Sequence, residues 1–155
     1  MTFRITGLAP SQFRPLFGLS DAELATRGAR RFIADEKPGF PDRIELRDVE
    51  PGEAVLLVNY LHQPADTPYR ASHAVFVREG ATTAFDRIGE IPDALRRPQL
   101  SLRAFDAGHM MIDADLVHGR ALEAGIERLL LRPDTLYLQV HYAARGCYAA
   151  RVERA

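Results

Sequence analysis

Short strand-like runs broken at close intervals by proline, glycine or aspartate dominate this chain, and they restrict it to a sheet-based architecture. The runs fall at Phe3 to Ile5, Arg31 to Ala34, Arg43 to Arg47, Ala54 to Leu61, Ala74 to Arg78, Gln99 to Phe105 and His109 to Asp113. Asp106-Ala107-Gly108 is turn chemistry between two of them, which predicts a hairpin, and Ala144-Arg145-Gly146 does the same for the last pair. Pro51-Gly52-Glu53 reads as the turn that joins Arg43 to Arg47 with the run starting at Ala54. In the final pair, Leu136, Leu138, Val140 and Tyr142 share one face, while Tyr137, Gln139 and His141 share the other, where chemistry or binding is expected.

Helical signals are fewer. Ser20 and Glu23 form a capping-box pattern flanked by Leu19 and Leu24 as a hydrophobic staple, and Gly28 suits the stop, so Asp21 to Arg27 is expected to be helical. Leu122, Ile126, Leu129 and Leu130 recur at helical spacing before Pro133, which predicts a helix over Arg120 to Leu131. A brief helix over Pro10 to Phe17 would place Phe13, Leu16 and Phe17 on one face. The expected fold is α+β: a single domain over residues 1–155, with a mostly antiparallel mixed sheet and two or three helices packed on it.

The 155 residues suffice for one core without covalent staples. A formal net charge of -1 leaves no positive field to gather phosphates, so nucleic acid is not an expected partner. No apolar run approaches the roughly 20 residues of a membrane span, and no charged-then-apolar leader opens the sequence. With Cys147 the only cysteine, an internal disulfide is excluded and a reducing, cytoplasmic location is expected. Lys37, the only lysine, sits between Glu36 and Pro38 in an apparent turn and is not favoured as a catalytic amine.

Phosphate-cradling glycine loops, the H-E-x-x-H zinc pattern and the G-x-S-x-G nucleophile turn are all missing. What remains is a scatter of polar side chains. Tyr69, Arg70, Ser72 and His73 stand at the mouth of a strand, and their phenol, guanidinium, hydroxyl and imidazole suit a small anionic or polar ligand. Arg103 is a further anion-binding candidate, with Asp106 on the opposite strand face. His141, Arg145 and Cys147 bracket the last turn, an arrangement in which an imidazole and a guanidinium would serve a thiolate nucleophile. Against this, a lone cysteine on a strand is more often a small buried hydrophobe. His62, His73, His109, His118 and His141, with Asp106 or Asp113, show none of the tight spacings of a metal motif, so no metal is expected and any cofactor stays unspecified. Met110, Met111 and Ile112 suit sheet core or a homodimer surface.

The segments FPDRIELRDVEPGEAVLLVNYLHQP, TPYRASHAVFVRE, LRAFDAGHMMIDADLVHG and LQVHYAARGCYAARVE, in this order, resemble the bacterial family known as domain of unknown function 1203. The resemblance covers nearly the whole chain. It implies a small cytosolic bacterial protein and supplies no catalytic roles to transfer. Two positions depart from the family's pattern: Asp42, where a cysteine often follows the proline, and Tyr142, where an asparagine often follows the histidine. Two functional classes emerge from the residues. One is a binding or interaction module with a polar pocket between the Tyr69 to His73 loop and the His141 to Cys147 turn. The alternative is a small-molecule hydrolase or transferase with His73 or His141 as proton carrier, Arg70, Arg103 or Arg145 on an anionic group, and Cys147 as nucleophile.

Overall fold

The structure is a computed structural model that describes residues 2–155. Its strands form two sheets. Strands β1 (Phe3–Thr6), β5 (Asp86–Ile88), β6 (Gln99–Phe105), β7 (Met111–His118), β8 (Tyr137–Tyr142) and β9 (Tyr148–Arg154) make a six-stranded sheet in the order β5-β1-β9-β8-β6-β7. Strands β2 (Arg30–Ile33), β3 (Ala54–Gln63) and β4 (Ala71–Arg78) make a three-stranded sheet in the order β2-β3-β4. Every strand pairing is antiparallel. The mostly antiparallel character thus matches the sequence expectation, while the one expected sheet is two and helices are few.

Helix α2 (Leu122–Leu130) continues a 3-10 turn at Gly119–Ala121 and covers one face of the large sheet. Its Leu122, Ile126 and Leu129 are fully buried against Leu100, Leu102, Leu138 and Val140. Burial of each such side chain is worth about 1.5–3 kcal/mol. Gly125 lets the helix approach the sheet, since a Cβ there would stand 2.8 Å from Leu102. The alternation read in the last strands is real in its centre: Leu138 and Val140 face this core, and Tyr137, Gln139 and His141 face the other way. Leu136 does not join them, because it precedes the strand and is 49% exposed.

Helix α1 (Asp21–Thr26) carries the expected capping box, with Glu23 N donating to Ser20 Oγ at 3.1 Å and Ser20 N donating to Glu23 Oε2 at 3.1 Å. Its Leu24 joins Leu56, Val58, Val75 and Val77 in a second core beneath the small sheet. Two sequence expectations fail locally. Pro10 to Phe17 forms two separate 3-10 turns, Pro10–Gln12 and Arg14–Leu16, because Pro15 has no N–H to continue a helix. Arg43 to Arg47 is no strand. Both oxygens of Asp42 accept local backbone N–H groups, from Ile44 at 3.2 Å and Glu45 at 2.6 Å, and fold the chain into a turn that ends with Leu46 at φ 53°. Pro51-Gly52-Glu53 is accordingly a turn into β3 rather than a hairpin between two strands.

This irregular stretch is the seam between the sheets. Leu8 N donates to Arg43 O and Phe85 N to Ile44 O, both at 2.8 Å, while Arg43 N donates to Phe76 O of β4 at 3.0 Å.

Candidate functional site

Asp42 anchors the seam. Only 1% exposed, it accepts a third N–H, from Arg78 at 2.7 Å, and so ties its own turn to β4. The turn sends the next side chain, Arg43, inward. Arg43 is 2% exposed, with Nε donating to Tyr148 O at 2.8 Å, Nη1 to Pro41 O at 2.5 Å and Nη2 to Cys147 Sγ at 3.0 Å. The guanidinium also lies 5.0 Å from the centre of the Tyr142 ring, in cation–π range. Among the described residues no carboxylate comes within 4.0 Å of it. A buried cation held by two carbonyls, a sulfur and a ring is well hydrogen-bonded but has no protein counter-charge in contact, a costly state for an isolated charge.

Arg43 opens on a cavity of about 650 Å³, walled by Phe76, Pro41, Pro98 and Tyr142 and also lined by His73, Arg145 and Cys147. That volume is in the range of small-molecule sites. A second lobe of about 330 Å³ shares Gly39, Pro41, Pro98 and Tyr142 with the first and adds Asp48 and Arg97. Tyr142 therefore borders both lobes; its phenol has no hydrogen-bond partner among the described residues and is pushed up to about 12 chiefly by burial. Asp48 is half-buried, has no ion pair within 4.0 Å among the described residues, and is held above the ordinary carboxylate value by desolvation, with Arg97, Lys37 and Arg43 pulling the other way from a distance.

A separate polar cluster lies between the sheets, on the face of β8 that carries Gln139 and His141. Gln139 Nε2 donates to His62 O at 2.9 Å, which fixes the amide so that its Oε1 faces His62 Nδ1 and His141 Nε2, each at 3.0 Å. The other ring nitrogen of His141 faces Gly146 O at 3.1 Å. A neutral imidazole owns one N–H, so one of these two contacts lacks a proton at any moment. Desolvation, reinforced by the positive Arg103, pushes His141 down to about 3 and keeps the ring neutral. Desolvation likewise lowers His62, whose ring stacks on Tyr148 with centroids 5.7 Å apart.

The structure distributes the sequence candidates over three places. His73, Arg145 and Cys147 all line the large cavity, with no contact between any two of them among the hydrogen bonds of the described residues. His141 is fully buried behind it, reaching the cavity turn only through Gly146 O. Arg103, opposite Gln139 in the β6–β8 register, shares the His141 face and donates weakly to Ser101 Oγ at 3.3 Å. Tyr69 and Arg70 lie elsewhere: the Tyr69 hydroxyl approaches Met111 O at 3.5 Å, and Arg70 donates to Pro64 O. Of the remaining histidines, His109 pairs with the Tyr137 hydroxyl at 2.8 Å and His118 accepts from Arg120 N at 3.1 Å. Among the described residues no three His, Cys, Asp or Glu side chains gather as metal ligands, and no helix is long and apolar enough to cross a membrane.

Sequence reasoning missed Arg43, Asp48 and Tyr142. The usable signal was Pro41-Asp42, since proline followed by aspartate initiates turns and would have removed Arg43 from a strand.

A family model described as a protein of unknown function (DUF1203) matches residues 39–154. No curated protein and no solved structure matches the chain.

Proposed function

Because the chain belongs to the DUF1203 family, whose members are proteins of unknown function, we propose a role from the cleft itself: a one-domain binding module that takes a small organic anion against Arg43. The observation that supports this is the 2% exposed Arg43, a permanent cation with no carboxylate in contact, at the wall of a cavity that Arg145 and His73 also line. An anionic group entering the cavity would supply the missing counter-charge through charge-assisted hydrogen bonds, and Phe76, Tyr142 and the two prolines would take an apolar body.

The test is calorimetric titration with phenylpropionate and its neutral amide. The carboxylate should bind more tightly by about ten-fold, the worth of a hydrogen bond to a charged group. Equal binding of acid and amide, or none, sinks the reading.

A second reading rests on the 3.0 Å contact between Arg43 Nη2 and Cys147 Sγ. It makes the protein a hydrolase or transferase in which Cys147 attacks as a thiolate paired with Arg43 and His73 carries protons. Trapping of Cys147 by iodoacetamide at neutral pH, read by intact mass, supports it; an inert sulfur removes it.

A further inference from the structure

The polar cluster between the sheets borders a separate pocket of about 260 Å³, which shares no lining residue with either lobe of the cleft. Apart from Pro64 and Ala65 every residue lining it is polar, and among the described residues none is a carboxylate or a thiol. Its one permanent charge, Arg151, is already occupied: Nε and Nη2 each lie 2.7 Å from Glu153 Oε1, and the guanidinium stands 3.9 Å from the centre of the Tyr137 ring.

Two buried amides fix which imidazole nitrogens at this pocket carry protons. Gln139 Nε2 donates to His62 O, so Gln139 Oε1 can only accept, and the proton between it and His62 belongs to His62 Nδ1. His62 Nε2 is left as a lone pair with no partner among the described residues, and desolvation holds the ring below its ordinary pKa and so uncharged at neutral pH. The second amide is Gln63, whose Oε1 accepts from Ala65 N at 3.3 Å while its Nε2 donates to the Tyr137 hydroxyl at 2.8 Å. The phenol proton then points to the remaining neighbour, His109 Nδ1 at 2.8 Å, and a neutral His109 carries its own proton on Nε2. That N–H also has no partner among the described residues. His109 holds this place against its backbone preference, with φ 61° at a hairpin position where glycine or asparagine is the ordinary choice.

We infer that this pocket is a second binding site, for a small uncharged amide that gives a hydrogen bond to His62 Nε2 and receives one from His109 Nε2. An anion would meet the lone pair of His62 and an arginine that is already paired, and a cation would meet the His109 N–H and Arg151. The site stands apart from the anion-binding cleft, so either assignment can fail alone.

The experiment is NMR of the imidazole nitrogens of the full chain, titrated with nicotinamide and, separately, with nicotinate, its anion of similar shape. Before any addition, the nitrogen shifts should report Nδ1–H for His62 and Nε2–H for His109. Nicotinamide should move the Nε2 signals of both rings, and nicotinate should bind the pocket about five-fold more weakly. His109→Gly should weaken nicotinamide by about the same factor with little change in melting temperature, because relief of the backbone offsets the lost contact to Tyr137. His62→Phe, which keeps a ring on Tyr148, should also weaken it. If nicotinamide moves neither ring, if nicotinate moves both as strongly, or if either starting tautomer is reversed, the amide assignment falls, whatever binds at Arg43. Should His62→Phe fail to fold, the wild-type shifts and His109→Gly still decide.

Discussion

Nη2 of Arg43 and the sulfur of Cys147 lie 3.0 Å apart although 104 positions separate them in the chain. The contact welds the seam turn to the start of β9, and the same guanidinium fixes Tyr148 O and Pro41 O. Arg43→Met would strand three acceptors at once and should cost about 3 kcal/mol, whereas Cys147→Ala removes one and should cost about 1 kcal/mol. Urea denaturation of the two variants measures the difference; equal losses would mean that the sulfur, not the carbonyls, carries the interaction.

Tyr142→Phe deletes a hydroxyl that has no hydrogen-bond partner among the described residues. Its stability should stay within about 0.5 kcal/mol of wild type. Its affinity for phenylpropionate should drop by roughly two- to five-fold. A large fall in melting temperature would show that the phenol has a structural partner.

His141 should stay neutral throughout pH 5 to 8, since burial and Arg103 push it down to about 3 from its ordinary 6.5. Between those two values the unfolded chain binds a proton that the folded one refuses. Stability should therefore be flat above pH 6.5 and fall as pH drops toward 3, by at most about 1.4 kcal/mol per pH unit from this group. Denaturation curves from pH 8 to 4, with His141→Gln as the control of reduced slope, measure it; an imidazole carbon shift that titrates near 6.5 would contradict the burial argument.

Gly119→Ala should be among the most damaging single substitutions outside the cleft. A Cβ there would stand 1.9 Å from Leu95 O and 2.5 Å from the Arg96 carbonyl carbon, both backbone atoms that cannot rotate away. A loss above about 3 kcal/mol is expected, read by thermal melting.

The parts of the fold that the sequence reveals are those governed by neighbours in the chain. The Ser20 and Glu23 box, the apolar stripe of α2 and the alternation through Leu138 and Val140 depend on spacings of two to four residues, and the structure contains each. Division into two sheets depends on which strands meet, and no spacing encodes that. β5 escaped notice because three exposed residues carry no alternation to detect. Arg43 to Arg47 looked extended because its residue types suit a strand, and the bonds that bend it run from a single aspartate. The cleft was half visible. His73, Arg145 and Cys147 stood out as chemically able side chains, but Arg43 resembled any other arginine of a charged segment until burial removed its water. Tyr142 looked like a core aromatic, and in part it is, packing beside the large-sheet core while also lining both lobes.

The seam also has a mechanical side. The two sheets share no strand, and their relative position is held by the bridging hydrogen bonds from residues 42–44 to Leu8, Phe76, Arg78 and Phe85, together with the direct bonds of Gln139 to His62 and of Gln63 to the Tyr137 hydroxyl. The cleft is walled by β4 on one side and the β8 to β9 turn on the other, so an occupant would act as a spacer clamped between two plates. Occupancy would then be legible far from the cleft, as slower amide exchange at Leu8 and Phe85, the hinge pins that neither line the cavity nor touch its contents.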